Sequence, residues 1–192
     1  MANSGKRKKE EILNVPNALT IIRVILTFVV IYLILTKSEL KTVVAVFVIA
    51  AITDFLDGQI ARRFNLTTEF GRKADVIADR FLWVGTAFAF LVSFRMEFMA
   101  VEGVQLLLIM SREIIATPFA FSSFFTGKGI PKTRTIGKAT TFIQGFALPS
   151  LILSFSYPIF LYVSAPLSLI LGILGTSSAL YYIKDLQSME VK

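Results

Sequence analysis

The sequence predicts an all-α, polytopic membrane protein with six transmembrane helices, and two observations carry that prediction. Hydrophobic residues make up 55% of the 192 residues, and the mean hydropathy of +0.71 is too apolar for an ordinary soluble domain. The apolar residues also form long runs, each near the ~20 residues that a helix needs to cross a hydrocarbon core ~30 Å thick. The net charge of +7 does not predict a nucleic-acid partner, because the basic residues flank the apolar runs instead of forming one soluble face.

Six apolar runs are read as spans. Their approximate boundaries are 14–36, 40–60, 74–94, 101–125, 136–155 and 158–183. The residues before the first run, MANSGKRKKEEIL, carry a basic cluster. They predict either a short juxtamembrane helix on the anionic leaflet or a disordered tail that only sets orientation. The chain is thus divided into a basic N-terminal segment, residues 1–13, and one six-helix membrane domain, residues 14–192.

The lysines and arginines predict the orientation of these spans, because cytoplasmic loops carry an excess of them. One side has only three, namely Lys37, Lys41 and Arg95. The other side has fourteen, namely Lys6, Arg7, Lys8, Lys9, Arg62, Arg63, Arg72, Lys73, Lys128, Lys132, Arg134, Lys138, Lys184 and Lys192. Both termini are therefore expected in the cytoplasm, as in a bacterial cytoplasmic membrane protein.

The absence of two residue types limits the possible chemistry. The chain has no Cys and no His, so it has neither a thiolate nucleophile nor the usual general base and transition-metal ligand. Acid–base or metal chemistry must then rest on Asp and Glu, whose oxygens suit hard cations such as Mg²⁺, Mn²⁺ or Ca²⁺.

Four aspartates stand out in the segment DFLDGQIARRFNLTTEFGRKADVIAD, residues 54–79. Asp54 and Asp57 are three residues apart, and Asp75 and Asp79 are four apart, so each pair shares a helix face. The connection between the second and third spans is short, which makes these helices antiparallel neighbours. The four carboxylates are therefore expected to converge near the cytoplasmic surface.

Converging carboxylates repel one another, and one or two Mg²⁺ or Mn²⁺ ions would neutralise them. Two such ions ~3.5–4 Å apart are a known arrangement for phosphoryl displacement. Gly58 and Ala61 keep side-chain bulk low beside the acids, and Arg62 and Thr68 are suitable donors to phosphate oxygens.

Other interpretations of the aspartates remain open. Carboxylates within membrane helices also pair with arginines such as Arg23, Arg80 or Arg112, or form a proton relay in a cation or proton transporter. A transporter would place them near the membrane midplane on discontinuous helices. A non-catalytic assembly protein would not need all four acids.

The order of these residues also matches a family signature. Written out, it is D-x-x-D-G-x-x-A-R-x₈-G-x-x-x-D-x-x-x-D, with eight fixed positions between Asp54 and Asp79. It resembles the signature of the CDP-alcohol phosphotransferases (CDP-alcohol phosphatidyltransferases), and every signature position is filled. The predicted spans and the length agree with that family, so the resemblance extends over nearly the whole chain.

The resemblance implies an enzyme that displaces CMP from a CDP-linked lipid with an acceptor alcohol, and it implies a homodimer. The four aspartates would hold the divalent metals, and Asp79 would also be the general base that takes the proton of the acceptor hydroxyl. The residues that the resemblance places at the nucleotide and donor are Asn17, Thr20, Gly58, Ala61, Arg62, Thr68 and Gly71.

The flanking segments NVPNALTIIRVILT, SRE and GKATTFIQ look most like phosphatidylglycerophosphate synthases, which implies CDP-diacylglycerol as donor and glycerol 3-phosphate as acceptor. One departure is DVIADR, with Val76 and Arg80 where DPxADK is frequent. A phosphorylated acceptor needs a cationic pocket, for which the candidates are Arg112, Arg134 and Lys138. Three other acceptors remain open, namely phosphatidylglycerol as in cardiolipin synthases, inositol phosphate and serine, as does a CDP-archaeol donor. For Arg134 and Lys138, an ordinary role as basic residues that flank a membrane span also remains open. For Arg112, a simple ion pair remains open.

Overall fold

The computed structural model describes residues 15–64, 69–94, 100–125 and 135–190, and the regular structure within these ranges is helical. This confirms the predicted all-α class. The helices are α1 (Val15–Leu35), α2 (Leu40–Arg63), α3 (Glu69–Ser93), α4 (Ala100–Ile109), α5 (Ser111–Phe125), α6 (Thr135–Ser154) and α7 (Leu161–Glu190). A 3₁₀ turn, Pro158–Phe160, leads into α7.

Within the described residues, four stretches are long and apolar enough to cross a membrane, namely Val15–Leu35, Ala74–Ser93, Thr135–Ser154 and Pro158–Ser188. The pair α4 and α5 is a fifth if the two helices count as one broken span. The predicted number of six stays a prediction, with the 24-residue α2 as the remaining candidate. The predicted juxtamembrane segment, residues 1–13, lies outside the described residues.

Helix α1 packs against both α2 and α3. Its hairpin with α2 is closed by a backbone motif in which Ser38 N donates to Leu33 O (2.9 Å) and Lys37 N donates to Ile34 O (3.0 Å). Lys37 has a φ of +52°, the left-handed conformation that such a helix end requires and that glycine usually provides. Because α1 and α2 run antiparallel, the start of α1 lies beside the end of α2.

The fourth predicted span is two helices, because the chain bends by 45° between α4 and α5 at Met110. Helix α7 packs against both, and the Ser111 hydroxyl donates to Leu171 O (3.2 Å). A Cβ added at Gly175 would overlap Ser111 Oγ and lie 3.3 Å from Arg112 N. The absence of a side chain at Gly175 therefore lets α7 approach the bend closely.

An apolar core fills the middle of the bundle, with Val30, Phe47, Phe90 and Leu148 fully buried. Toward the start of α1 the buried residues become polar, and they are Asn17, Thr20, Arg23 and Thr27. We call this end, formed by the start of α1, the end of α2 and the start of α3, the site end of the bundle.

Candidate active site

Arg23 of α1 joins two of the four signature aspartates at the site end. Its Nη1 atom lies 2.8 Å from Asp75 Oδ1 and 2.9 Å from Asp54 Oδ1. One guanidinium nitrogen thus holds carboxylates from α2 and α3 together, which confirms that the two helices bring their acids to one place. The ionic pairing named above as an alternative is present for these two aspartates.

The exposure of the three groups is unequal. The Arg23 side chain is 0% exposed, whereas the Asp54 and Asp75 side chains are 35% and 42% exposed. The carboxylates therefore keep surface that a ligand can reach, while the guanidinium is held entirely within the bundle. A buried guanidinium needs such partners, because an unpaired charge in this environment is costly.

Asp79 lies one helical turn after Asp75 in α3 and is half-buried. The indole N–H of Trp83 donates to Asp79 Oδ1 over 3.0 Å. Arg112 and Arg23 both act electrostatically on the Asp79 carboxyl as nearby cations, and Asp75 acts as a nearby anion. Asp79 is thus close enough to feel both Arg23 and a second cationic group on α5.

That second group is centred on Arg112, the second residue of α5, immediately after the bend. Its Nη1 atom lies 2.5 Å from Thr141 Oγ1, 3.5 Å from Gly137 O and 3.9 Å from Glu113 Oε1. Arg112 therefore connects α5 to the start of α6. Lys138 follows Gly137 on α6 and is exposed.

Glu113 is held by a buried amide on α6. Gln144 Nε2 donates to Glu113 Oε2 over 2.9 Å and lies 3.6 Å from Met110 Sδ. Glu113 is 5% exposed and Gln144 is 0% exposed. A buried carboxylate thus has one strong donor and a neighbouring arginine, as burial of charge demands.

Arg80, where the sequence departs from the frequent pattern, contacts residues of α5 and α7. Its Nη1 atom donates to Thr117 Oγ1 of α5 over 2.8 Å, and its guanidinium carbon lies 5.8 Å from the centroid of the Tyr182 ring on α7. This arginine therefore ties α3 to two other helices beside the site.

The remaining predicted site residues are placed only in part. Asn17 and Thr20 are buried at the start of α1, where the Thr20 hydroxyl donates to Pro16 O (3.2 Å). Gly71 is half-buried in the first turn of α3. Of the other predicted residues, four belong to α2 with side chains outside the described set, namely Asp57, Gly58, Ala61 and Arg62. Thr68 and Arg134 lie outside the described residues.

Among the described side chains, no group of three acidic residues lies close enough to form a metal cluster. The donors that are described are carboxylate oxygens, which fit a hard divalent cation. Asp54 and Asp75 supply two of them side by side, and Asp79 lies one turn away. The residue types thus fit a hard divalent cation, and the ligand set that the sequence predicts stays a prediction.

Trp83 and Thr141 are partners of site residues that the sequence did not single out. Trp83 stands four residues after Asp79, which places it on the same helix face, so spacing was a usable signal. Thr141 lies in the quoted segment GKATTFIQ, but nothing in the sequence indicated which arginine it would bind.

The whole arrangement combines acidic and cationic groups in the manner that displacement at a phosphorus atom requires. The partly exposed carboxylates of Asp54 and Asp75 are available for cation binding. The half-buried Asp79 lies one turn further along α3, and Arg112 of α5 acts on it as a nearby cation. Such a site neutralises phosphate charge, holds a proton acceptor and positions an anion.

Comparison with known proteins shows to which family the chain belongs. The family model for CDP-alcohol phosphatidyltransferase matches residues 13–174. A relative from Rickettsia typhi is 39% identical over 142 residues, which are 73% of this chain and 76% of the relative. A relative from Aquifex aeolicus is 32% identical over 72% of this chain and 75% of its own length. A relative from Wigglesworthia glossinidia brevipalpis is 31% identical over 81% of this chain and 89% of its own length. All three are named CDP-diacylglycerol–glycerol-3-phosphate 3-phosphatidyltransferase. Because the family model covers most of the chain, including the aspartates, Arg23 and Arg112, the chain belongs to the CDP-alcohol phosphatidyltransferase family.

Proposed function

We propose that this enzyme transfers a phosphatidyl group from CDP-diacylglycerol to glycerol 3-phosphate, giving phosphatidylglycerophosphate and CMP in phospholipid biosynthesis. The observation that carries the proposal is the convergence of Asp54 and Asp75 on Arg23, with Asp79 one turn further along α3. The names of the relatives support the choice of donor and acceptor.

In the proposed reaction, a hydroxyl oxygen of glycerol 3-phosphate attacks the phosphorus that carries the diacylglycerol. The new P–O bond forms as the bond to the CMP phosphate breaks, and the hydroxyl proton passes to the Asp79 carboxylate. Asp79 suits this task because it is half-buried and because the chain has no His. The CMP phosphate takes the electron pair of the broken bond and leaves.

Enzymes of this family generally depend on a divalent metal. We assign Mg²⁺ or Mn²⁺, in one or two ions, to Asp54, Asp57, Asp75 and Asp79. When bound, such a cation neutralises charge on the diphosphate and on the departing CMP. Arg23, which is fully buried, contacts two of these carboxylates, those of Asp54 and Asp75.

The CDP group of the donor is assigned to the site end, where buried polar residues of α1 meet α2 and α3. The residues proposed to contact it are Asn17, Thr20, Gly58, Ala61, Arg62, Thr68 and Gly71. The acyl chains would stay in the lipid phase, which explains why a site for a soluble nucleotide lies at the end of membrane helices.

The acceptor phosphate is assigned to Arg112 with Arg134 and Lys138. The Arg112 side chain is 20% exposed, and its Nη1 atom contacts Thr141 Oγ1 and Glu113 Oε1. A guanidinium held in this way can bind a phosphate through its remaining N–H groups. Lys138 is exposed one residue beyond Gly137 and can add a second charge.

The chain is an integral membrane protein, and we propose further that the site end and both termini face the cytoplasm. The excess of lysine and arginine on that side, fourteen against three, supports this orientation. Because the chain has no Cys, single cysteines at Lys37 and Lys192 test it: only the former should react with an impermeant maleimide added to whole cells. We also propose six spans in one domain and a homodimer.

The test of function is CMP release by the purified protein in detergent, given CDP-diacylglycerol, glycerol 3-phosphate and Mg²⁺ or Mn²⁺. We expect release that EDTA abolishes and that Asp79→Asn lowers by at least about a thousandfold, because loss of the base and of a cation ligand act together. Arg112→Gln should raise KM for glycerol 3-phosphate while KM for CDP-diacylglycerol changes little.

Release with another acceptor, such as phosphatidylglycerol, inositol phosphate or serine, and none with glycerol 3-phosphate would reject the proposed acceptor and keep the reaction class. An equal rise of both KM values in Arg112→Gln would show that Arg112 does not act on the acceptor alone.

A further inference from the structure

Trp83 is the one tryptophan of the chain, and it is 3% exposed. Its indole carries a single N–H donor, and a buried indole N–H usually has a hydrogen-bond acceptor. Here that acceptor is Asp79 Oδ1 at 3.0 Å, the side chain assigned above as the base. A bulky aromatic residue thus makes its one polar contact with the reacting carboxylate.

The indole ring is itself held by the apolar core. Phe47 of α2 meets it edge-on, with ring centroids 5.2 Å apart and an interplanar angle of 77°. Phe47 is 0% exposed, and both rings belong to the buried core cluster. A large ring that is packed this closely has one available orientation. The direction of the indole N–H is therefore set by the contact with Phe47 of α2 as well as by the position of Trp83 in α3.

A carboxylate whose Oδ1 is tied to a fixed donor cannot turn freely about its Cβ–Cγ bond. The other oxygen, Oδ2, then keeps a constant direction relative to Arg112 and Asp75, two charged groups that act on Asp79. A base works best when it is held within hydrogen-bond reach of the proton that it accepts.

We propose that Trp83 is a positioning residue for Asp79: its indole N–H fixes Asp79 Oδ1 so that Oδ2 is presented to the acceptor hydroxyl. This rests on the proposed function of Asp79 as the base. The alternative is that Trp83 only fills the core, in which case loss of its N–H lowers stability and leaves turnover unchanged.

Trp83→Phe tests the proposal, because it keeps an aromatic ring against Phe47 and removes the donor. We expect kcat to fall by about tenfold, which corresponds to ~1.4 kcal/mol, with both KM values within about twofold of wild type. The matched control is Phe90→Leu, a fully buried ring on the same helix. It should lower Tm and keep kcat within about twofold, since it disturbs packing without touching Asp79.

Three outcomes of this comparison overturn the proposal: an unchanged kcat in Trp83→Phe, an equal loss of kcat in Phe90→Leu, or a loss confined to KM. If Trp83→Phe fails to fold, 3-benzothienylalanine at residue 83 replaces it. That side chain has the shape of tryptophan with sulfur in place of the N–H, so the same fall in kcat is expected.

A second readout does not depend on activity and so separates this proposal from the proposed function. Ultraviolet resonance Raman spectra report the strength of indole N–H hydrogen bonding, and the chain contributes a single tryptophan signal. Asp79→Asn should move that band toward weaker bonding, because an amide oxygen is a weaker acceptor than a carboxylate. An unmoved band would show that the indole does not bond to Asp79, whatever reaction the enzyme performs.

Discussion

Arg23 is the side chain whose replacement tests the architecture of the site end most directly. We choose Arg23→Met, which keeps much of the length of the side chain and removes its charge and donors. Arg23 is 0% exposed and its Nη1 atom contacts Asp54 and Asp75 at 2.9 and 2.8 Å. The variant would leave two carboxylates on neighbouring helices facing each other without the cation between them.

The size of the effect follows from the burial of each partner. Breaking a fully buried ion pair by removing one member costs about 3–5 kcal/mol. Here the two carboxylates keep 35% and 42% exposure, so water offsets part of that cost, and we expect about 2–3 kcal/mol. For a chain of this length, each kcal/mol lowers Tm by about 2–4 °C, which gives a fall of about 4–12 °C.

The assay is thermal unfolding of the purified protein in detergent with EDTA, followed by circular dichroism at 222 nm, a wavelength that reports helix content. Arg23→Lys is the control, because it keeps the positive charge and loses the shape of the guanidinium. Its Tm should lie between those of the wild type and Arg23→Met. A Tm of Arg23→Met within about 2 °C of wild type would refute the reasoning. It would mean that the two carboxylates are separated or solvated well enough not to need Arg23.

Two further substitutions, each with a matched control, test other contacts of the bundle by the same unfolding measurement. Gly175→Ala should lower stability by about 1–3 kcal/mol, because its Cβ would overlap α5. Gly103→Ala, with nothing within 4 Å of its Cβ, should leave stability equal or slightly higher, and equal effects of the two would contradict the close approach of α7. Gln144→Leu should cost about 2 kcal/mol, because buried Glu113 loses its 2.9 Å donor. Thr140→Val, on the same helix, removes only a hydroxyl bonded to its own helix at Ile136 O and should cost clearly less than Gln144→Leu.

The sequence predicted the class of fold and the meeting of Asp54 with Asp75 because both depend on short-range regularities. Apolar runs of membrane-spanning length define helices, and spacings of three and four residues define which side chains share a face. The short α2–α3 connection then brings Asp54 and Asp75 together, as the structure confirms at Arg23. The resemblance to the family was recognised from the eight signature residues between Asp54 and Asp79.

The features that the sequence did not predict depend on packing between distant helices. The bend after Ile109 occurs in a run that is apolar enough for one span, and it is accompanied by contacts of α5 with α7, which is 60 residues further along the chain. The turn at Lys37 has a left-handed conformation at a residue with no special preference for it. The partners of Arg112 and Glu113 on α6 likewise depend on helix rotation, which hydropathy does not specify.

Three arginines at and beside the site end make polar contacts between helices. Arg23 joins α1 to α2 and α3, Arg112 joins α5 to α6, and Arg80 joins α3 to α5. A charged group within membrane helices is stable only when it is paired or solvated, so each arginine selects a particular rotation of two helices. Those rotations also set where the Asp54, Asp75 and Asp79 carboxylates point. Substitutions of these arginines should therefore change stability and turnover together, whereas truncations of core residues such as Phe90 should change stability alone. The same ionic contacts that make charge tolerable inside the bundle thus give the site its geometry.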